Sequence, residues 1–442
     1  MAFIDKVIEN LPEIKPSTQK RQSFSQKLRW TGIILGLYFL LGLIPLYGLG
    51  ANALQRFEFL STILGASFGS IISLGIGPIV TASIVLQLLN GSGLVNFDLQ
   101  SEEGKRRFQG IQKLLSILFI FLESAIFVLM GGLRPSAGIS PVILIIQVTI
   151  GGLAIMVMDE IISKYGFGSG ISLFIAAGVS QRIFLGLFNP LMGDGGIPIG
   201  AVIAIFFTIA SPAAAGQGVL EISFANVVAT LAIFFLVVYL QAMKVEIPLS
   251  FGRIKGQGVR WPLNFLYANV LPIILVSALL ANIRLFAGFL GVDSTSLTWL
   301  GGQNFVQQML IGAFSWANVW HAAIYLVIYT FGAMIFSIFW VQTSGLDASS
   351  QATQMIDSGL QIPGFRRDKR VLERLLKRYI GPLTVMGGLT IGFVAGVTNL
   401  TGAIGSGTGI LLTVMIIYKL YEDIAKQHMY DMNPMMRKFM TG

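Results

Sequence analysis

Long apolar stretches with almost no charged residues recur along the whole chain, and they constrain its fold more than any other feature. A bilayer core needs about 20 consecutive apolar residues per helix. Only 12% of the residues are charged and 54% are hydrophobic, whereas soluble domains carry roughly 25% charged residues. We therefore predict an all-α polytopic membrane protein with ten transmembrane helices. The predicted spans are residues 30–49, 70–90, 111–131, 140–158, 171–188, 222–243, 262–283, 316–341, 379–397 and 402–418.

The basic residues indicate how these spans are oriented. When loops are assigned to alternate sides of the membrane, 26 of the 30 Lys and Arg residues fall on the side of the N-terminus. The remaining four are Arg56, Arg134, Arg182 and Arg284. Cytoplasmic loops carry the excess of Lys and Arg in membrane proteins. Both termini are therefore predicted to be cytoplasmic.

Two further apolar segments are too short to span a bilayer. Counting residues 197–211 as a span would export the basic loops that follow, so we assign them to an external interfacial or re-entrant segment. Residues 51–69 are rich in Gly and Ser and carry Arg56 and Glu58. We interpret them as a short helix folded back toward the protein.

Ten spans divide into two sets of five, and an odd number per set makes the second set inverted relative to the first. A pathway between the halves is typical of such folds. The second span of each half contains a proline, Pro78 or Pro272. These prolines predict interrupted helices beside the pathway, with ordinary kinks in packed helices as the alternative.

The chain organisation follows from these spans. A cytosolic segment at 1–29 contains an interfacial amphipathic helix at 2–11, because its apolar residues share one helical face. The remaining parts are a first half at 30–190, an external loop at 191–221, a second half at 222–420 with cytosolic loops at 244–261 and 342–378, and a cytosolic tail at 421–442.

Seven short motifs occur in order along the chain. They are Leu74-Gly-Ile-Gly-Pro-Ile-Val-Thr81, Gln109-Gly-Ile-Gln-Lys-Leu-Leu115, Asp159-Glu160 followed by Gly168-Ser-Gly-Ile-Ser-Leu-Phe-Ile175, Val245-Glu-Ile-Pro248, Gly252-Arg-Ile-Lys-Gly256, Lys377-Arg-Tyr-Ile380 and Gly402-Ala-Ile-Gly-Ser-Gly-Thr-Gly409. Together they resemble the SecY family of bacteria and archaea, which includes the alpha subunit of the eukaryotic endoplasmic-reticulum translocon. The resemblance covers nearly the whole chain, and the cytosolic loops look archaeal.

The resemblance implies a clamshell of two five-helix halves around a channel that passes polypeptides across the membrane and releases helices sideways into lipid. A ring of apolar side chains at its constriction excludes water and ions by dewetting, whereas a small-ion filter needs aligned carbonyls or charges. Without the resemblance, each such residue would be read as a packing or lipid-facing residue. The matching positions, all aliphatic, are Ile76, Val80, Ile171, Ile175, Ile274 and Leu412.

The resemblance also implies a plug, a short helix that blocks the external funnel of the closed channel. It matches part of the segment that is too short to span, and the charged residues there suit a hydrated funnel. The plug residues are Ala53, Leu54, Gln55, Arg56, Phe57, Glu58, Phe59, Leu60, Ser61, Thr62, Ile63, Leu64, Gly65 and Ala66.

One carboxylate, Glu123, lies deep within a predicted span. An ionisable residue inside a membrane is a functional candidate because its burial is costly, and a protonated or hydrogen-bonded structural role is the alternative. The matching family position faces a lateral gate formed by spans 2, 3, 7 and 8. The gate residues implied are Thr81, Gln87, Glu123, Asn269 and Asn282.

Basic cytosolic residues resemble the family's docking surface for the ribosome. Clustered Lys and Arg bind RNA phosphate through counterion release, although the positive-inside rule alone also explains them. Several glycines in the first loop predict that it becomes ordered only on docking. The implied docking residues are Arg253, Lys255, Arg260, Lys377 and Arg378.

The resemblance implies further partners: a SecE-type (gamma) subunit and a small beta-type subunit in a heterotrimer, signal sequences, nascent polypeptides and membrane lipid. It implies a plasma membrane location, or the endoplasmic reticulum in a eukaryote. We expect no enzyme activity, catalytic residue, cofactor or metal. Energy for transport would come from partners, because the chain contains no phosphate-binding loop of the Walker type.

Other functions compete with a channel. A secondary transporter shares inverted repeats and broken helices, but it needs convergent polar groups at mid-membrane, where Glu123 is nearly alone. An intramembrane serine hydrolase lacks its expected Gly-x-Ser-Gly spacing, and only His321 lies in a span to act as base. The sequon Asn399-Leu-Thr401 sits in a very short external turn, so we attribute it to chance.

Overall fold

The structure is a computed structural model whose helices agree with the predicted spans. It describes residues 13–15, 22–52, 66–91, 93–95, 97, 101–193, 196–211, 218–251, 258–289, 300, 304–312, 315–357, 360–361, 368–405 and 407–432. Its helices are α1 Phe24–Leu43, α2 Gly77–Gly91, α3 Glu102–Leu129, α4 Pro141–Tyr165, α5 Gly170–Phe188, α6 Ala201–Ala210, α7 Val219–Ala242, α8 Leu271–Phe289, α9 Phe305–Leu310, α10 Trp316–Thr343, α11 Ala348–Asp357, α12 Lys369–Leu400 and α13 Gly407–Met432.

Each of the ten predicted spans overlaps one of these helices, and the fold is that of an all-α polytopic membrane protein. Within the described residues, α3, α4, α5, α7, α10 and α12 are long and apolar enough to cross a bilayer by length and composition. Five short strands complete the described structure: β1 Leu49–Asn52, β2 Leu133–Pro135, β3 Lys244–Phe251, β4 Gly258–Asn264 and β5 Leu360–Gln361.

The chain forms two compact units. The first is Met1–Gln181 with Ile416–Gly442, and the second is Arg182–Met415. The two limits of the second unit fall inside α5 and α13. The predicted halves at 30–190 and 222–420 stay a prediction about internal symmetry.

In the first unit, hydroxyl side chains begin three of the helices. Ser23, Ser101 and Ser140 each accept a hydrogen bond from a main-chain amide in the first turn of α1, α3 or α4, which satisfies a donor that the helix itself leaves unpaired. Helix α4 also approaches the turn before α2 closely. A Cβ at Gly151 would lie 1.9 Å from the carbonyl oxygen of Ile71, so only glycine fits there.

In the second unit, α10 and α12 pack backbone to backbone. Gly388, Gly392 and Gly396 follow one another at four-residue intervals on α12. A Cβ at Gly392 would lie 2.9 Å from Cα of Thr330 on α10. Small residues at this spacing let membrane helices approach closely. This pair contributes to a core shared by α7, α8, α10, α12 and α13.

The structure corrects the prediction of helices interrupted by proline. Pro78 and Pro272 are each the second residue of their helix, in α2 and α8. Proline suits the first helical turn because it has no amide hydrogen to leave unpaired and its φ is already helical. Span 7 also begins later than the predicted 262–283, because residues 262–264 belong to β4.

The structure agrees with the prediction for one of the two short apolar segments and differs from it for the other. Within 197–211 the helix α6 has 10 residues, about 15 Å at the rise of an α-helix, which is too short to span. The segment 51–69 was predicted to be a short helix, but it begins in strand β1, which pairs with β2. Residues 53–65, and the predicted interfacial helix at 2–11, lie outside the described residues.

Candidate functional site

The predicted cytosolic segment after α7 folds as an antiparallel hairpin of β3 and β4. Ile247 is fully buried on one face. On the other face Glu246 and Arg260 are exposed and form an ion pair of 3.0 Å. The prediction that this loop becomes ordered only on docking is therefore wrong for the two strands, because their main-chain ladder and one buried face already order them. Arg253 and Lys255 lie outside the described residues.

The basic residues of the second docking segment lie on a helix. Lys377 and Arg378 were predicted in or beside a loop at 342–378, but they belong to α12, which begins at Lys369. Both are exposed, while Leu372 and Leu376 are buried on the opposite face. Lys and Arg are good helix formers, so the helix continues past the apolar stretch into the charged one.

The hairpin and the basic end of α12 belong to one packed body. Their buried side chains form a single hydrophobic core together with residues of α10 and α11. Arg260 and the exposed cations of α12 are thus held on a common scaffold. The core residues are Ile247, Leu263, Ala268, Val341, Ala352, Met355, Leu372, Leu376, Ile380 and Leu383.

In the first unit, the four candidate ring residues occur as two pairs, each with helical spacing. The amide of Val80 donates a 3.0 Å hydrogen bond to the carbonyl oxygen of Ile76, which immediately precedes α2. Ile171 and Ile175 lie one turn apart on α5. Residues four apart share one helix face. Ile76 and Ile175 are almost fully buried, and Val80 and Ile171 are half-buried.

A carboxylate from the neighbouring helix caps the start of α5. Asp159 Oδ1 accepts a 2.9 Å hydrogen bond from the amide of Ile171. A Cβ at Gly170 would lie 2.6 Å from Cα of Asp159, so glycine is needed for this approach. An acidic side chain suits this position, because the start of a helix carries the positive end of its dipole. Asp159 therefore fixes the helix turn that carries Ile171.

In the second unit, the two candidate ring residues are buried. Ile274 lies in the first turn of α8 and Leu412 in the second turn of α13, and they are 7% and 0% exposed. Both are aliphatic, like the four in the first unit.

The structure brings two of the candidate lateral-gate residues together. The side chains of Thr81 on α2 and Glu123 on α3 lie near each other, and the Thr81 hydroxyl donates its hydrogen to the carbonyl oxygen of Gly77 at 2.9 Å. Gln87 donates to Ser83 on its own helix at 3.2 Å.

The other two gate candidates belong to the second unit. Asn269 precedes α8 in a left-handed conformation with φ of 60°, which asparagine tolerates better than most residues. The side chain of Asn282 on α8 lies outside the described residues. The same is true of the whole candidate plug except Ala66, which is buried.

An ion-pair cluster lies at the end of α4 in the first unit. The Glu160 carboxylate accepts hydrogen bonds from Lys113 and Lys164, both at 2.8 Å, and from the amide of Ile14 at 3.0 Å. Lys164 also pairs with Glu13 at 3.2 Å. The cluster borders a cavity of about 360 Å³ and ties residues 13–15 to the helix ends.

Sequence reasoning missed three features with structural consequences. It assigned no role to Asp159, because a cap supplied by the preceding helix leaves no local signal in the sequence. It overlooked the repeat of Gly388, Gly392 and Gly396, which is visible in the sequence. It also treated Asn399 only as a chance sequon, whereas its side chain bonds to Tyr325 at 2.8 Å.

Comparison with known proteins gives consistent results. The family model described as SecY matches residues 70–421. The "Protein translocase subunit SecY" of Methanothermobacter thermautotrophicus is 44% identical over 453 residues, covering 97% of this chain and 96% of that protein. The protein of the same name from Methanocaldococcus jannaschii is 40% identical over 446 residues, covering 98% of each.

Solved structures agree with this. The structure of a protein-conducting channel superposes with a TM-score of 0.80 at 38% identity, covering 97% of this chain and 98% of that one. Sec61 in the canine ribosome–channel complex superposes with a TM-score of 0.78 at 37% identity, with the same coverage. The matched residues 70–421 include all six aliphatic candidates, five of them on α2, α5, α8 and α13 and Ile76 immediately before α2. On this evidence the chain belongs to the SecY family.

Proposed function

We propose that this chain is the central pore-forming subunit of a protein-conducting channel, which moves secretory polypeptides across the bilayer and releases membrane-protein helices sideways into lipid. The observation that carries the proposal is the nearly full-length match to a solved protein-conducting channel. The relatives in sequence are translocase subunits. A solute transporter is therefore set aside.

The constriction of this channel is the ring of Ile76, Val80, Ile171, Ile175, Ile274 and Leu412. All six are aliphatic, and the four on α5, α8 and α13 lie within the first two helical turns. An aliphatic constriction resists ions because it offers no ligand to replace their hydration shell, yet it yields to a polypeptide that fills it. This combination suits a channel whose cargo varies in sequence.

Residues 53–66 are the plug of this channel. In a solved SecY protein that is 37% identical and covers 97% of this chain, the plug domain stabilises the closed state of the translocation channel and maintains a membrane seal. In this chain the segment joins α1 to the turn before α2. It therefore lies in sequence between the first span and the helix that carries Val80.

The lateral gate uses Thr81, Gln87, Glu123, Asn269 and Asn282. The closeness of Thr81 and Glu123 supports this role, because polar contacts between apolar helices close a seam while remaining weak enough to part. A signal sequence that inserts an apolar helix there replaces these contacts with lipid-like packing.

The cytosolic partner is the ribosome, which binds through RNA phosphate. Arg260 and the exposed pair Lys377 and Arg378 share one scaffold, and Arg253 and Lys255 fall in the sequence between the last residue of β3 and the first residue of β4. The solved relative was determined in a ribosome–channel complex.

SecE-type and beta-type subunits complete the heterotrimer. The complex resides in the plasma membrane, and both termini of this chain are cytoplasmic.

Conductance in a planar bilayer tests this proposal directly. The purified chain with its small subunits is compared before and after deletion of residues 53–66. The intact channel should be silent, and the deletion should give large, poorly selective openings. No current in either form, together with saturable uptake of a small solute, would overturn the channel and favour a transporter.

A further inference from the structure

Five polar side chains meet among the apolar helices of the second unit, four of them buried and Asn399 half-buried. They come from four helices: Ser277 on α8, Tyr325 and Tyr329 on α10, Asn399 on α12 and Thr408 on α13. The hydroxyl-bearing residues Ser277, Tyr329 and Thr408 are each no more than 1% exposed. Their hydroxyl groups form hydrogen bonds with one another.

Tyr329 links two helices that do not follow each other in the chain. Its hydroxyl forms one hydrogen bond with the Ser277 hydroxyl on α8 and another, of 3.2 Å, with Oγ1 of Thr408 on α13. A single phenol thus bridges α8 and α13 through α10. Within an apolar interior such a chain favours one arrangement, because any shift leaves a buried hydroxyl unpaired.

Asn399 holds the α13 end of this bridge. Its side-chain amide donates to Oγ1 of Thr408 at 2.9 Å and to the Tyr325 hydroxyl at 2.8 Å. Its side-chain carbonyl oxygen accepts from the amide of Thr408 at 3.1 Å. Asn399 therefore caps the first turn of α13, and the amide nitrogen that a glycan would need is already engaged.

The bridge is one helical turn away from two candidate ring residues. Ser277 follows Ile274 by three residues on α8, and Thr408 precedes Leu412 by four on α13. Residues at these separations are neighbours on one helix face. The hydrogen bonds thus join the two helices of this unit that carry ring residues.

We propose that Tyr329, held by Ser277, Thr408 and Asn399, is a positioning residue for the channel constriction. It fixes the separation of α8 and α13 and thereby the separation of Ile274 and Leu412. The inference rests on the proposed ring, and it adds a determinant of closure that does not itself touch the translocating chain.

The test measures resting ion current of the purified membrane complex in planar bilayers, with the plug intact. Tyr329→Phe keeps the aromatic side chain and removes both hydrogen bonds of the hydroxyl group. The leak current should rise about tenfold, since losing a buried hydrogen-bonded bridge shifts a two-state equilibrium by about that factor. Thr408→Val should leak similarly, whereas Thr408→Ser keeps the hydroxyl and should stay silent.

Ser337→Ala is the matched control. Ser337 lies on the same helix, is 0% exposed and donates a 2.9 Å hydrogen bond to the carbonyl oxygen of Thr384 on α12. Its loss removes a buried bond between helices that carry no ring candidate. Melting temperature should fall for both Ser337→Ala and Tyr329→Phe, but only the latter should leak.

Ile274→Asn and Leu412→Asn separate the two possible failures. If neither leaks, the ring assignment is wrong and the positioning role falls with it. If they leak while Tyr329→Phe and Thr408→Val conduct no more than Ser337→Ala, the ring stands and the positioning role is overturned. Should Tyr329→Phe fail to assemble, Thr408→Val and Ser277→Ala decide the matter by the same comparison.

Discussion

The main-chain amide of Ile171 donates a 2.9 Å hydrogen bond to the carboxylate of Asp159, so a side chain of α4 closes the first turn of α5. The two residues are twelve positions apart, on either side of a tight connection. The orientation of a candidate pore helix is thus set by its predecessor.

Replacement of Asp159 tests this cap. Asp159→Ala should destabilise the first unit by about 1 kcal/mol, because the amide of Ile171 loses its acceptor. Asp159→Asn retains an acceptor oxygen and should lose less. Thermal unfolding of the purified protein in detergent measures both. Equal melting temperatures for Asp159→Ala and the unsubstituted protein would show that this hydrogen bond does not stabilise the protein.

Gly392 should tolerate no side chain. An added methyl group would meet Cα of Thr330 at 2.9 Å and Cβ of Ala333 at 2.6 Å, so Gly392→Ala should cost about 1–3 kcal/mol through overpacking. Gly36 on α1 has no described atom within 4 Å of an added Cβ. Gly36→Ala should therefore leave the melting temperature unchanged or slightly raised. A smaller loss of stability for Gly392→Ala than for Gly36→Ala would contradict the close packing of α10 and α12.

Neutralising the exposed cations of α12 should weaken ribosome binding without unfolding the protein. For the double variant Lys377→Gln with Arg378→Gln, the slope of log affinity against log salt should fall by about 2, or about 1 per phosphate contact. The double variant Arg106→Gln with Lys419→Gln removes two exposed basic residues elsewhere and serves as the control. Identical slopes for the two double variants would place the docking surface elsewhere.

Tyr267 should give the protein a measurable alkaline pH dependence. It lies between β4 and α8, and its hydroxyl donates a 2.8 Å hydrogen bond to the carbonyl oxygen of Leu346. Burial, and then the nearby charge of Asp347, raise the pKa of Tyr267 to about 12. The unfolded chain has a tyrosine pKa of about 10, so this stabilisation is complete below pH 10 and is lost as pH rises toward 12.

The measurement for Tyr267 is a difference between two melting curves taken from pH 8 to pH 12. Tyr267→Phe should be less stable at pH 8, and the gap to the unsubstituted protein should narrow above pH 10. The other tyrosines contribute equally to both proteins. A gap that stays constant across this range would show that Tyr267 does not titrate as the structure requires.

The number and order of the spans could be predicted because every helix that crosses the hydrocarbon core of a bilayer needs a long apolar stretch. The residues at which helices begin and end were harder to predict from the sequence. Helix α12 begins at Lys369 rather than near the predicted 379, since its charged first turns are stabilised by packing of Leu372 and Leu376. Hydropathy does not report such packing.

Contacts between distant residues were beyond sequence reasoning. Ser277 and Tyr329 are 52 positions apart, and nothing in either residue type indicates the other as partner. The hairpin of β3 and β4 was missed for another reason. Its strands carry Pro248 and Pro262, which lower strand propensity, and its order derives from the buried face at Ile247.

The backbone contact between α10 and α12 has a consequence for how the protein is made. Ribosomes complete α10 at Thr343, but the glycine surface that receives it ends at Gly396. During that interval α10 is in the membrane without its neighbour, and Ser337 lacks the acceptor that Thr384 later provides. The packed pair of α10 and α12 therefore forms only after the ribosome has synthesised α12.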